Sequence, residues 1–155
     1  MLSTSLFEFI ARGFAEEFLF VLAVHAFSKT GINLKKYLLS GTIFWILAFL
    51  IRLLPIQYGI HTILSLISLI VLVSWINKID IVKAIRAGLI TFILTFVFEG
   101  INIFIIQFIL KVDINIMMNN PILKTLYGLP SIILFGIFVI TYYIRLSRRK
   151  ELKYN

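Results

Sequence analysis

Five stretches of about twenty mostly apolar residues, parted by short polar breaks, fill this 155-residue chain. A helix of that length crosses ~30 Å of hydrocarbon. Lipid offers the backbone no hydrogen-bond partner, so such stretches must be helical. The spans are predicted at 5–27, 34–54, 60–76, 81–110 and 121–146. Composition agrees: 61% of residues are hydrophobic and 14% charged, where a soluble domain is about 25% charged. The fold class expected is an all-α, polytopic membrane protein. Residues 1–146 form one five-helix transmembrane domain, and 147–155 form a basic cytoplasmic tail.

The breaks are "SKTGINLKK", "PIQYG", "NKID" and "KVDINIMMNN". Pro55 ends the second span. Asn120 and Pro121 read as the N-cap and first residue of the fifth, which Gly128 and Pro130 should kink. Basic residues set the orientation. Lys29, Lys35, Lys36, Lys78, Lys83, Arg86, Arg145, Arg148, Arg149, Lys150 and Lys153 are eleven of the 15 Lys and Arg. With five spans all eleven fall on one side. The amino terminus is therefore expected outside and the carboxyl terminus in the cytoplasm, as a multi-pass protein of the cell (inner, cytoplasmic) membrane. The net charge of +8 sits at helix ends, where it sets topology, so nucleic acid is not an expected partner. No basic n-region opens the chain, so a cleavable signal peptide is not expected.

The first span, "IARGFAEEFLFVLAVHAFS" from Ile10 to Ser28, is apolar yet carries Arg12, Glu16, Glu17 and His25. Each charge at mid-membrane costs roughly 2.5–3.5 kcal/mol on insertion scales. These groups should therefore face the bundle interior. At ~100° per residue, Glu8, Arg12 and Glu16 fall within about 80° of arc, so Arg12 can pair with either acid. Glu17 lies on a second face, loosely shared with His25. Matching depth across helices gathers Glu8, Arg12, Glu16, Arg52, His61 and Glu99 into a polar cluster in the outer half. Glu17 and Asn102 lie nearer the midplane.

Four acids then face two arginines. Full ionisation would leave two uncompensated negative charges, so at least one of Glu17 and Glu99 is expected to be neutral at pH 7. Two readings stay open: an ion-pair ladder that fixes helix register, and a ligand or proton site. Arg52 reads either as a member of the cluster or as a side chain reaching the outer headgroups. His61 and His25 read as interfacial. Glu99, alone in "TFVFEGINIF", is the strongest candidate for function, because intramembrane carboxylates are functional by default. Loss of Arg12 should cost more stability than loss of Arg52.

Several chemistries are excluded. There is no Cys, which removes thiol nucleophiles and Cys-based metal sites. No "HExxH" and no phosphate-binding Gly-rich loop occurs. The two His are predicted at opposite membrane faces, so no metal or other cofactor is expected. The Glu16–Glu17 pair is similar to the Glu-Glu-x-x-x-Arg motif of intramembrane CAAX-type proteases, but Val21 stands at the Arg position. No enzymatic activity is expected.

"FLIRLLPIQYGIHTILSLISLIVL" (49–72), "NKIDIVKAIRA", "FEGINIF" and "ILKTLYGLPSIIL" together give a resemblance. From about Lys35 to Leu146 the chain resembles the membrane-sensor regions of accessory-gene-regulator-type and sporulation-type histidine kinases of Firmicutes. There, a multi-helix module precedes an ATP-binding kinase region. Nine residues follow Leu146, so the resemblance implies a stand-alone, sensor-like module that signals through a partner. Candidate partners besides the lipid bilayer are a histidine kinase, an ATPase or a second copy of the chain. The alternative is a small substrate-binding or accessory subunit of a membrane transporter.

Overall fold

A computed structural model describes residues 12–56, 58–111 and 121–153. It is all-helical, with five α-helices among the described residues. These are α1 (Phe14–Phe27), α2 (Leu34–Leu53), α3 (Tyr58–Trp75), α4 (Ile81–Phe104) and α5 (Pro121–Arg148). A π-helical turn, Ile105–Ile109, extends α4. Helices α2, α3 and α4 start within two residues of the spans expected at 34–54, 60–76 and 81–110, and the expected start of the first span at residue 5 lies outside the described residues. Glu8, the "VDINIMMNN" connection and the Asn120 cap lie outside the described residues.

Local chemistry sets the ends. Asn33 caps α2 by accepting from the Lys36 N–H, and Asp80 caps α4 by accepting from the N–H groups of Val82 and Lys83. At the other ends Lys29, Lys78, Lys111 and Lys150 take left-handed backbone (φ 51–59°). Such a conformation costs a residue with a Cβ about 1–2 kcal/mol, offset in part by a cation beside the negative end of the helix dipole. After α1 and α5 it lets a later N–H return to a free carbonyl: Thr30 to His25 O (2.9 Å) and Glu151 to Leu146 O (3.1 Å).

Helix α1 packs against all four other helices. Its apolar residues run right round, and Phe20, Val21, Ala23, Val24 and Ala26 are buried. Phe20 sits at the middle of the core. Its ring meets Phe44 of α2, Phe92 of α4 and Phe135 of α5 at 6.4, 5.2 and 6.2 Å between centroids. Between α1 and α2 the approach is close: a Cβ on Gly41 would fall 2.6 Å from the Phe18 ring.

The outward faces are apolar. Leu39, Ile46, Leu50, Ile63, Ile67, Ile93, Val97, Ile133 and Ile137 are all exposed. Water penalises such a surface, and lipid accepts it. Segments 34–53, 81–109 and 126–148 are long and apolar enough to cross a membrane. Trp75 is 73% exposed at the end of α3, as an interfacial belt residue would be.

Candidate functional site

The charges within the bundle form two ion-pair groups, and α1 supplies a member of each. In the first, the Arg12 Nη2 donates to Glu99 Oε1 of α4 at 3.1 Å, and Arg12 Nε lies 3.7 Å from Glu16 Oε2. The i,i+4 step brings Arg12 under Glu16, as expected; the reach to Glu99 is tertiary. In the second, Arg52 Nη2 of α2 donates to Glu17 Oε1 at 3.3 Å. Glu16 and Glu17 thus face different partners because adjacent helical residues point about 100° apart.

The direct partner of Arg52 is Glu17, which the sequence placed nearer the midplane, and Arg52 turns inward from the end of α2 to reach it. Glu17 is the most enclosed acid, with its side chain 2% exposed, while the Glu99 side chain is 36% exposed. Glu17 Oε2 is buried without a hydrogen-bond partner among the described residues.

The floor of the first group is Gly128 of α5. A Cβ there would fall 2.9 Å from Arg12 Cζ and closer still to Nη1. The guanidinium therefore lies against bare backbone, and Gly128 holds the seat open. The sequence marked Gly128 only as a kink. Pro130, two residues on, removes a backbone donor from α5. Side chains supply donors nearby: Asn102 Nδ2 donates to the Tyr127 carbonyl at 2.7 Å and Ser131 Oγ to the Gly128 carbonyl at 2.7 Å. Asn102 is buried and ties α4 to α5.

Beside these groups a crevice of about 10 Å³ is lined by Glu16, Thr95, Glu99 and Ser131 on a wall of Leu19, Phe20, Phe98, Ile132 and Phe135. That is space for about one water molecule.

His61 bonds the Ile56 carbonyl through Nε2 at 2.9 Å, which anchors the start of α3 to the connection before it. His25, read in the sequence as interfacial, is 1% exposed inside the bundle. A carbonyl can only accept, so its Nδ1 carries the proton that bonds Val21 O (2.8 Å). Its Nε2 then faces Asn77 Nδ2 at 3.2 Å. The Asn77 partner went unread in the sequence because 52 residues separate the two.

Fold and site together define an all-helical protein, with helices suited to a membrane and interhelical ion pairs inside the bundle. Comparison with protein-family models, curated proteins and solved structures finds no match for this chain.

Proposed function

We propose that this chain is a non-enzymatic, multi-pass protein of the cytoplasmic membrane that acts as a stand-alone, sensor-like module in signalling. All five helices cross, with the amino terminus outside and the tail in the cytoplasm. The observation that carries the reading is the Arg12–Glu99 pair, which ties α1 to α4 at 3.1 Å while Glu16 lies 3.7 Å from the same side chain. Two acids compete for one guanidinium.

Charge counting supports it. Among the described residues Arg12 and Arg52 face Glu16, Glu17 and Glu99: two positive charges against three negative. One proton or one cation completes the balance. Buried ion pairs are weak evidence for stability, and setting register or a switch is their best-attested use. Gain or loss of that single charge changes which acid Arg12 holds, and so how α1 seats on α4. A partner kinase, or a second copy, would read the change. The crevice beside Glu99, about 10 Å³, has room for a water molecule or a small ion and not for a larger substrate at this site.

Spin labels on exposed positions of α1 and α4, with the protein in lipid nanodiscs, test this. The α1–α4 distance should change between about pH 5 and about pH 8, and Glu99→Gln should hold it at its acidic value. A distance indifferent to both would make the pair a fixed latch and defeat the signalling reading.

A further inference from the structure

At the end of the bundle away from the ion pairs, three separate segments close over a cavity of about 420 Å³ that opens to solvent. Its lining is Thr30 from the α1–α2 connection, Ser74 from α3, Lys78, Ile79 and Asp80 from the α3–α4 turn, Lys83 from α4, and Lys153 from the tail. The walls are fixed by backbone. The Lys153 N–H donates to the Lys29 carbonyl (2.9 Å) and the Gly31 N–H to the Lys153 carbonyl (2.7 Å). Glu151 reinforces them by accepting from Lys29 Nζ at 2.6 Å.

The electrostatics are one-sided. Lys78, Lys83 and Lys153 bring three positive charges, and Asp80 brings one negative, a lining net charge of +2. Asp80 Oδ1 is engaged by the Val82 and Lys83 N–H groups at 3.1 and 3.2 Å. Glu151, the nearby tail acid, is held by Lys29 and Arg149. The lysines converge from three elements, so the cavity is built by the fold and not by one basic run. Ser74 Oγ is buried without a hydrogen-bond partner among the described residues. The volume lies within the range of small-ligand pockets.

We propose that this cavity binds a phosphate-bearing anion, with Lys78, Lys83 and Lys153 as its cationic contacts. The phosphate belongs either to an anionic phospholipid headgroup or to a soluble phosphoester. Asp80 opposes the ligand's charge and keeps its affinity moderate.

The test is native mass spectrometry of the full chain released from nanodiscs of phosphatidylglycerol and phosphatidylcholine, with glycerol 3-phosphate as the soluble probe. Wild type should retain one equivalent of phosphatidylglycerol over phosphatidylcholine, or bind the soluble phosphoester in its place; which one is retained names the source. The double variant Lys83→Gln/Lys153→Gln should weaken retention roughly tenfold to thirtyfold, since each lysine near an anionic surface is worth about fivefold. Lys35→Gln/Lys36→Gln, on the same side but outside the cavity, should leave it within about twofold. Asp80→Asn keeps the helix cap and should tighten binding. Equal losses in the two double variants would show diffuse attraction and overturn the proposal, as would wild type that retains neither anion.

Discussion

The guanidinium of Arg12 lies against the backbone of Gly128, in a space that a single methyl group would fill. Two helices that are far apart in sequence thereby hold one charge in place, and a third, α4, supplies Glu99 to meet it. Gly128 matters here for what it lacks.

Gly128→Ala is accordingly expected to push Arg12 off Glu99 while leaving the helices intact. On helix propensity alone the change would stabilise by about 0.5–1 kcal/mol. Crowding at the guanidinium should reverse the sign, to a loss of about 1–3 kcal/mol. Unfolding in mixed micelles measures it. In the Arg12→Gln background the loss should vanish, and a stabilising Gly128→Ala in wild type would disprove the seat.

Removing Arg52 should cost at least as much as removing Arg12, roughly 2–3 kcal/mol. This expectation departs from the ranking expected from sequence, in which loss of Arg12 costs more. Arg52→Ala strands Glu17, whose side chain is 2% exposed, whereas Arg12→Ala strands Glu16 and the part-exposed Glu99. The double variant Arg52→Ala/Glu17→Gln should recover most of the loss. If the double is as unstable as the single, the stranded carboxylate is not the cause.

The tail clasp should open at both pH extremes. Lys29 beside Glu151 holds that carboxyl below its ordinary range, through a hydrogen bond and charge. Glu151 in turn holds the Lys29 ammonium above its own. A lowered acid contributes stability above its unfolded pKa and loses it as pH falls through the folded value. A raised base contributes below its unfolded pKa and loses it as pH rises through the folded value. The clasp is therefore intact across neutral pH and released in acid and in strong alkali. Both groups are exposed, so the effect should be small and salt-sensitive. The Gly31 amide, bonded to the Lys153 carbonyl, reports it by NMR. Its shift should move at both ends in wild type, and the acid step should be absent in Glu151→Gln.

Much of the architecture was legible in the residues. Asn33 and Asp80 stand in breaks that read as a loop and a turn, Pro55 ends α2, and the apolar runs between such signals set where helices lie. The arc through Arg12 and Glu16 was legible too, because i,i+4 geometry is local. Arg52 with Glu17, His25 with Asn77, and Asn102 with the Tyr127 carbonyl were not. Each of those pairs depends on the rotation of one helix against another, and a run of Ile, Leu and Phe encodes that rotation only through the fit of side chains.

The sequence by itself determined an all-helical chain with apolar helices, their approximate limits and the presence of buried charge, because hydrophobicity, caps and breakers act over one or a few turns. Tertiary structure decided that α1 would be the helix enclosed by the other four, that its neighbouring acids would take different arginines, and that Gly128 would seat one of them. Those outcomes depend on which ridges fill which grooves around Phe20, and close packing among five helices is a property of the whole set at once.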